Sequence, residues 1–130
     1  MSRPKPIRAN LGVCALGICS ALAISPAFAA DFPAGTYAVK KAPYTLSFDD
    51  KGQFHVNKGD TLEVAGSYSV KAGELQLTDN SGPWACTKPG EQTGTYAWKY
   101  ASAVLTFSKV ADKCEDRVRS LIGLAWSQQK

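Results

Sequence analysis

The stretch GTYAWKYASAVLTFSKV, residues 94–110, decides the fold class of this chain. Every second residue from Tyr96 to Tyr100 is aromatic, and apolar residues alternate again from Leu105 to Phe107 after a two-residue break. Successive side chains of a β-strand point to opposite faces, so alternation with a period of two indicates strands with one apolar face. The stretch therefore predicts an antiparallel hairpin joined by a tight turn.

The same alternation continues on both sides of this hairpin. It predicts eight strands, with a bulge or kink at Gly66, over residues 36–40, 44–48, 53–57, 61–70, 74–78, 94–100, 103–110 and 121–126. Residues 111–119 are polar and are predicted to hold one helical turn. Short connections favour antiparallel neighbours, so we expect an all-β fold, an antiparallel up-and-down barrel of about eight strands. A β-sandwich is the alternative.

Residues 1–30 have the three-part layout of a cleavable secretory signal peptide. Basic residues precede an uncharged run over residues 11–24, Ser25-Pro26 breaks it, and small alanines follow. That run is shorter than the roughly 20 residues that a membrane-spanning helix needs. We expect cleavage after Ala29 or Ala30, a periplasmic or extracellular location, one domain over residues 31–130, and no stable membrane insertion after cleavage.

The basic charge of the chain belongs mainly to this leader. The net charge is +4, and removal of the first thirty residues, with three basic and no acidic residues, reduces it to +1. The remaining chain has only one pair of adjacent basic residues, Lys40-Lys41. Nucleic-acid binding requires a patch that neutralises many phosphates, so we expect no nucleic-acid partner.

Two of the four cysteines, Cys86 and Cys114, lie outside the leader. In an exported chain they predict one disulfide, and two free buried thiols are the alternative. A zinc site needs about four ligands, and His55 is the only histidine that could join the two cysteines. We therefore expect no metal site and no cofactor.

Short motifs run along residues 35–126: GTY at 35–37, YTLSFD at 44–49, GSYSV at 66–70, GPWAC at 82–86 and DKCEDR at 112–117. Together they resemble the small bacterial secreted lipocalin-like (calycin-like) domains. The resemblance implies a barrel whose mouth binds a small apolar molecule. Lipocalins usually open with Gly-x-Trp, where this chain has Tyr37, and their C-terminal helix has no counterpart in this sequence. In that family a late arginine packs on the opening aromatic residue, a role the resemblance gives to Arg117 or Arg119.

Aromatic residues are the candidate ligand contacts. Tyr96 and Trp98 either fill the barrel or line a pocket, and the many inward apolar residues favour filling. Trp84 lies in the long connection 79–93, beside Cys86, where it contacts a ligand or a protein or seals the barrel end as a lid. The segment Asp79-Asn80-Ser81-Gly82 has the composition of a turn.

The chain contains no Gly-x-Ser-x-Gly, no phosphate-binding glycine loop and no His/Cys/Asp cluster at metal spacing. We expect an exported, non-enzymatic barrel without inward charge, which binds a small apolar ligand through Trp84, Tyr96 and Trp98. The alternative is an exported protein-interaction or inhibitor module that uses the Trp84 loop. An enzyme with dispersed carboxylates is a third hypothesis, which requires a polar cleft with shifted pKa values.

Overall fold

The computed structural model describes residues 32–130 and shows an antiparallel β-barrel of eight strands that closes on itself. The prediction of an all-β up-and-down barrel is confirmed, and the sandwich alternative is wrong. The predicted signal peptide over residues 1–30 and the cleavage positions Ala29 and Ala30 lie outside the described residues, so they stay predictions.

Each strand pairs with the next one along the chain, and the last pairs with the first. A short helix, α1, lies between the last two strands. The elements are β1 (Gly35–Ala38), β2 (Tyr44–Phe48), β3 (Gln53–Lys58), β4 (Thr61–Lys71), β5 (Glu74–Ser81), β6 (Thr93–Ala101), β7 (Val104–Ala111), α1 (Glu115–Leu121) and β8 (Trp126–Gln128).

The sequence prediction was wrong about the region after β7. We expected one helical turn within residues 111–119 and a strand over 121–126, whereas α1 extends to Leu121 and β8 begins only at Trp126. The apolar Leu121, which was assigned to a strand, is instead the buried last residue of the helix. Gly123 follows in a turn with a φ of 77°. Within residues 32–130, no helix has the length and apolar character needed to cross a membrane.

Tight turns of two residues connect the longest strands. Ala72 and Gly73 join β4 to β5 with φ values of 54° and 79°, and Ser102 and Ala103 join β6 to β7 with 53° and 64°. Positive φ at both central positions defines the type I′ turn, whose twist matches that of the flanking strands. These turns set the register of the hairpins. The two-residue turn after β6 is present, one residue later than the break predicted at residues 101–102.

The pairing of β4 with β5 contains a bulge. The register of this pair shifts between Ala65 and Gly66, which confirms the predicted irregularity. A Cβ atom at Gly66 would overlap the carbonyl oxygen of Thr78 and would lie 2.6 Å from Cε1 of Phe54. Only glycine allows the two strands and the Phe54 ring to approach this closely.

Alternating apolar side chains fill the middle of the barrel, including Leu46, Leu75, Leu77 and Leu105, each at most 1% exposed. Phe32 closes the end at which β1 begins. Its ring contacts those of Phe48, Trp98 and Tyr68, with centroids separated by 4.9, 5.1 and 5.5 Å. The opposite end, where β5 ends and β6 begins, is built differently.

Candidate functional site

A cleft of about 710 Å³ lies at this second end of the barrel. Its walls come from the ends of β2 to β5, from the β5–β6 connection (residues 82–92), from α1 and from the start of β8. Leu46, Phe54 and Leu77 lie beneath it at 1 to 2% exposure, so the core below is filled. Pockets for small molecules typically have volumes of about 300–1,000 Å³, and the cleft falls in that range.

Among the contacts that hold the connection 82–92 over this end are three made by Gly82, Trp84 and Cys86. Gly82 packs against β4 so closely that a Cβ atom would overlap the carbonyl oxygen of Glu63. The backbone N–H of Trp84 donates to that same oxygen at 3.1 Å. Cys86 forms a disulfide with Cys114, at the N-terminus of α1, with their Cα atoms 6.3 Å apart. The predicted disulfide is confirmed, and it anchors the connection to the helix across the cleft.

Trp84 lines the cleft and is 44% exposed. Its ring meets that of Tyr44 edge to face, with centroids 5.3 Å apart, and Tyr44 lines the cleft as well. Edge-to-face contact between aromatic rings is favourable beyond the area it buries. The pair gives the mouth of the cleft an aromatic wall that is only half covered by protein.

The structure places the other two predicted ligand contacts elsewhere. Tyr96 is fully buried, and its hydroxyl donates to Asp112. Trp98 packs on Phe32 at the opposite end of the barrel. Of the three residues chosen from the sequence, only Trp84 is among the described residues that line the cleft.

A buried cluster of charged groups forms one side of the cleft floor, contrary to the expectation of a barrel without inward charge. Arg117 on α1 is 7% exposed and pairs with Asp112 through Nε at 2.7 Å and with Asp79 through Nη1 at 3.1 Å. Its hydrogen bonds with Asp112 raise the pKa of Arg117 despite its burial, so the guanidinium stays charged.

The expected packing of Arg117 or Arg119 on Tyr37 is therefore wrong. Arg117 is held in the buried cluster, and Arg119 is an exposed residue that pairs with Asp116. Tyr37 donates its hydroxyl to the carbonyl of Pro33, and burial raises its pKa to about 12. The opening aromatic residue contacts Pro33 and the ring of Phe48 rather than a late arginine.

Asp112 is the better satisfied of the two carboxylates. It accepts hydrogen bonds from Arg117, from the hydroxyl of Tyr96 and from the backbone N–H of Cys114. Burial raises the pKa of Asp112, but these bonds outweigh burial and hold the pKa below its usual value. Conversely, burial, the hydrogen bond to Asp112 and the charge of Asp112 raise the pKa of Tyr96. A side chain at position 94 would overlap Asp112, so Gly94 leaves room for the cluster.

Asp79 was read as part of a turn, but it lies within β5 and is only 5% exposed. Its Oδ2 accepts the backbone N–H of Cys86 at 2.8 Å and pairs with Arg117. Its Oδ1 is buried and has no hydrogen-bond partner within residues 32–130. Burial raises the pKa of Asp79. The inward orientation of Asp79 is indicated in the sequence, because the alternation of Leu75 and Leu77 continues to Asp79.

These described residues hold no group of three or more His, Cys, Asp or Glu side chains that could bind a metal ion. Comparisons of the chain with protein-family models, with curated proteins and with solved structures return no match. Fold and cleft geometry are thus the basis for a functional proposal.

Proposed function

We propose that this protein is an exported, non-enzymatic, lipocalin-like barrel that binds a small apolar molecule in the cleft at its disulfide-linked end. The observation that carries the proposal is the 710 Å³ cleft above a filled barrel core. Export rests on the layout of residues 1–30, and the lipocalin-like assignment rests on the short motifs together with the closed eight-stranded topology.

Half-buried apolar side chains supply the binding surface. Val56, Leu124 and Ala85 line the cleft and are in contact with the core, and each retains some exposed surface. Covering such surface is favourable by about 25 cal/mol per Å². The strands and the disulfide fix these side chains before a ligand arrives, which lowers the entropic cost of binding.

Titration with Nile red, an uncharged apolar dye, tests this function by fluorescence. We expect saturable binding to the wild-type protein and a loss of about tenfold in affinity for Leu124→Lys, because the ammonium opposes burial of the dye. Leu62→Lys is the matched control, since Leu62 is 44% exposed and is not among the described cleft residues. Circular dichroism checks that both variants fold. A folded wild-type protein that leaves the dye unbound contradicts the proposal.

One observation favours a second candidate function, an exported protein-interaction or inhibitor module. Trp84 combines 44% exposure with a backbone that is anchored by Glu63 and by the neighbouring disulfide. Rigid exposed tryptophans are frequent anchors at the centre of protein interfaces.

Affinity capture with the wild-type protein, Trp84→Ala and Val110→Ala tests this second function. Val110 is a suitable control because it is 47% exposed on β7, outside the described cleft lining. We expect a partner of the wild-type protein to bind Val110→Ala equally well and Trp84→Ala at least about tenfold more weakly, since hot-spot residues contribute about 2 kcal/mol or more. Equal capture by all three proteins would exclude the Trp84 loop as the interface.

A further inference from the structure

We propose that the cleft recognises amines, namely small molecules with an apolar body and one ammonium group that donates a hydrogen bond to Oδ1 of Asp79. This inference rests on the proposed small-molecule function and adds the chemistry of the polar end of the ligand. Its basis is the hydrogen-bond inventory of the buried cluster at the cleft floor.

Arg117, the buried cation of the cleft, already uses its donors within the protein. Nε and Nη2 donate to the two oxygens of Asp112, each at 2.7 Å. Nη2 also donates to the carbonyl of Glu91 at 2.8 Å, while Nη1 donates to that of Gln92 at 3.1 Å and contacts Oδ2 of Asp79 at 3.1 Å. A guanidinium has five N–H donors, and these five contacts account for them. An anionic ligand would have to break one of these contacts to reach Arg117.

Asp79, unlike Arg117, has an atom without a hydrogen-bond partner in the described part of the chain, and that atom is an acceptor. It lines the cleft, its side chain is 3% exposed, and Oδ2 is occupied by Arg117 and by the backbone N–H of Cys86. Oδ1 is buried without a hydrogen-bond partner among residues 32–130. A buried acceptor that lacks a donor costs free energy, and this cost is larger for a charged group. A ligand that brings a donor to Oδ1 removes that cost on binding.

The charge balance selects an ammonium among the possible donors. Two buried carboxylates, Asp79 and Asp112, share one guanidinium, so the cluster has one negative charge in excess when both carboxylates are ionised. A cation beside Oδ1 neutralises this excess negative charge. An alcohol leaves the charge unchanged, and a carboxylate adds a second negative charge. At the mouth of the cleft, the basic side chains of Lys88 and Arg119 are balanced by the acidic ones of Glu91 and Asp116. The rim therefore does not reverse the preference for an ammonium group.

Three probes with the same apolar body test the inference by isothermal titration calorimetry at neutral pH: 4-phenylbutylamine, 4-phenylbutanol and 4-phenylbutyrate. We expect the amine to bind at least about tenfold more tightly than the alcohol, because charge-assisted hydrogen bonds are about twice as strong as neutral ones. The carboxylate should bind most weakly.

Asp79→Asn tests the assigned atom. The amide oxygen still accepts from Cys86, while the amide nitrogen replaces Oδ1 with a donor, so we expect the variant to lose its preference for the amine and to bind the carboxylate more tightly than the amine. Asp50→Asn is the control: it removes the same charge from an exposed turn residue that is not among the described cleft residues, and should keep the wild-type order. Circular dichroism checks folding, and if Asp79→Asn does not fold, the wild-type order alone decides.

Equal binding of the three probes to the wild-type protein, or tighter binding of the carboxylate, overturns the amine preference and leaves the proposed apolar binding intact. An Asp79→Asn variant that folds and keeps the wild-type order also overturns it. If none of the probes binds, the amine site and the proposed function fall together.

Discussion

At the scale of single residues, Arg117 organises the cleft end of the barrel. It joins β5 through Asp79, the junction of β7 and α1 through Asp112, and the connection 82–92 through the carbonyls of Glu91 and Gln92. These segments are distant in sequence, and the Arg117 side chain links all of them through its hydrogen bonds and ion pairs. The floor of the cleft depends on this residue.

Replacing Arg117 with Met should therefore lower the free energy of unfolding by about 3–5 kcal/mol, because two carboxylates remain buried without their cation. Urea denaturation measures this change. Arg119→Met is the matched control: Arg119 is 67% exposed, and exposed ion pairs contribute at most about 1 kcal/mol. Similar losses in the two variants would mean that the Arg117 cluster does not stabilise the fold.

Residue types alone could not identify this cluster. Aspartates such as Asp79 are typical of turns, and Asp112 lies in a polar segment, so the sequence predicted a barrel without inward charge. Only the alternation that continues from Leu77 to Asp79 indicates an inward side chain. A buried carboxylate at position 79 requires a cation from another element. That cation is Arg117, which lies on a helix whose position depends on tertiary packing and therefore cannot be read from the local sequence.

At the scale of secondary structure elements, strands β1 to β7 could be predicted from local pattern because each of them shows its apolar face within its own sequence. The two-residue turn after β6 and the irregularity at Gly66 were visible for the same reason. The bounds of α1 and β8 could not be predicted from local pattern. An isolated helix of seven residues is unstable, and α1 is held by the burial of Arg117 and Leu121 rather than by helix propensity.

Gly66→Ala tests the importance of the bulge between β4 and β5. The added methyl group would overlap the carbonyl oxygen of Thr78 and push against the Phe54 ring, so we expect a loss of about 1–3 kcal/mol in the free energy of unfolding. Ser67→Ala, at the exposed neighbouring position of β4, should change it by less than about 0.5 kcal/mol. A Gly66→Ala protein as stable as the wild type in urea would show that the strands can separate there without cost.

At the scale of the whole molecule, the resemblance implied a binding mouth on the barrel, but the sequence did not predict which elements form the cleft. The aromatic residues of β6 were predicted either to fill the barrel or to line a pocket; Tyr96 is buried below the cleft and Trp98 lies at the other end. The cleft exists because the connection 82–92 and α1 come together over one open end. Their meeting depends on contacts between Cys86, Cys114 and Arg117, which no local pattern reveals.

Reduction of the disulfide should destabilise the barrel. The bridge joins residues separated by 28 positions, and closing such a loop stabilises the folded state by about 3.5 kcal/mol in the chain-entropy estimate. For a domain of this size, each kcal/mol corresponds to about 4–8 °C in melting temperature. We expect calorimetry to show a fall of more than about 10 °C with reductant, and no response in a Cys86→Ala/Cys114→Ala variant. A wild-type melting temperature that is indifferent to reductant contradicts the prediction.

The short strand β8 determines when this barrel can close. It contributes only two residue pairs to β1 and two to β7, and Gln128 reaches Ala34, 94 residues earlier in the chain. Until β8 pairs with both β1 and β7, the seven preceding strands can form only an open sheet. During that interval the backbone edges of β1 and β7 are free to pair with other chains, which is the period in which a chaperone would have most to protect.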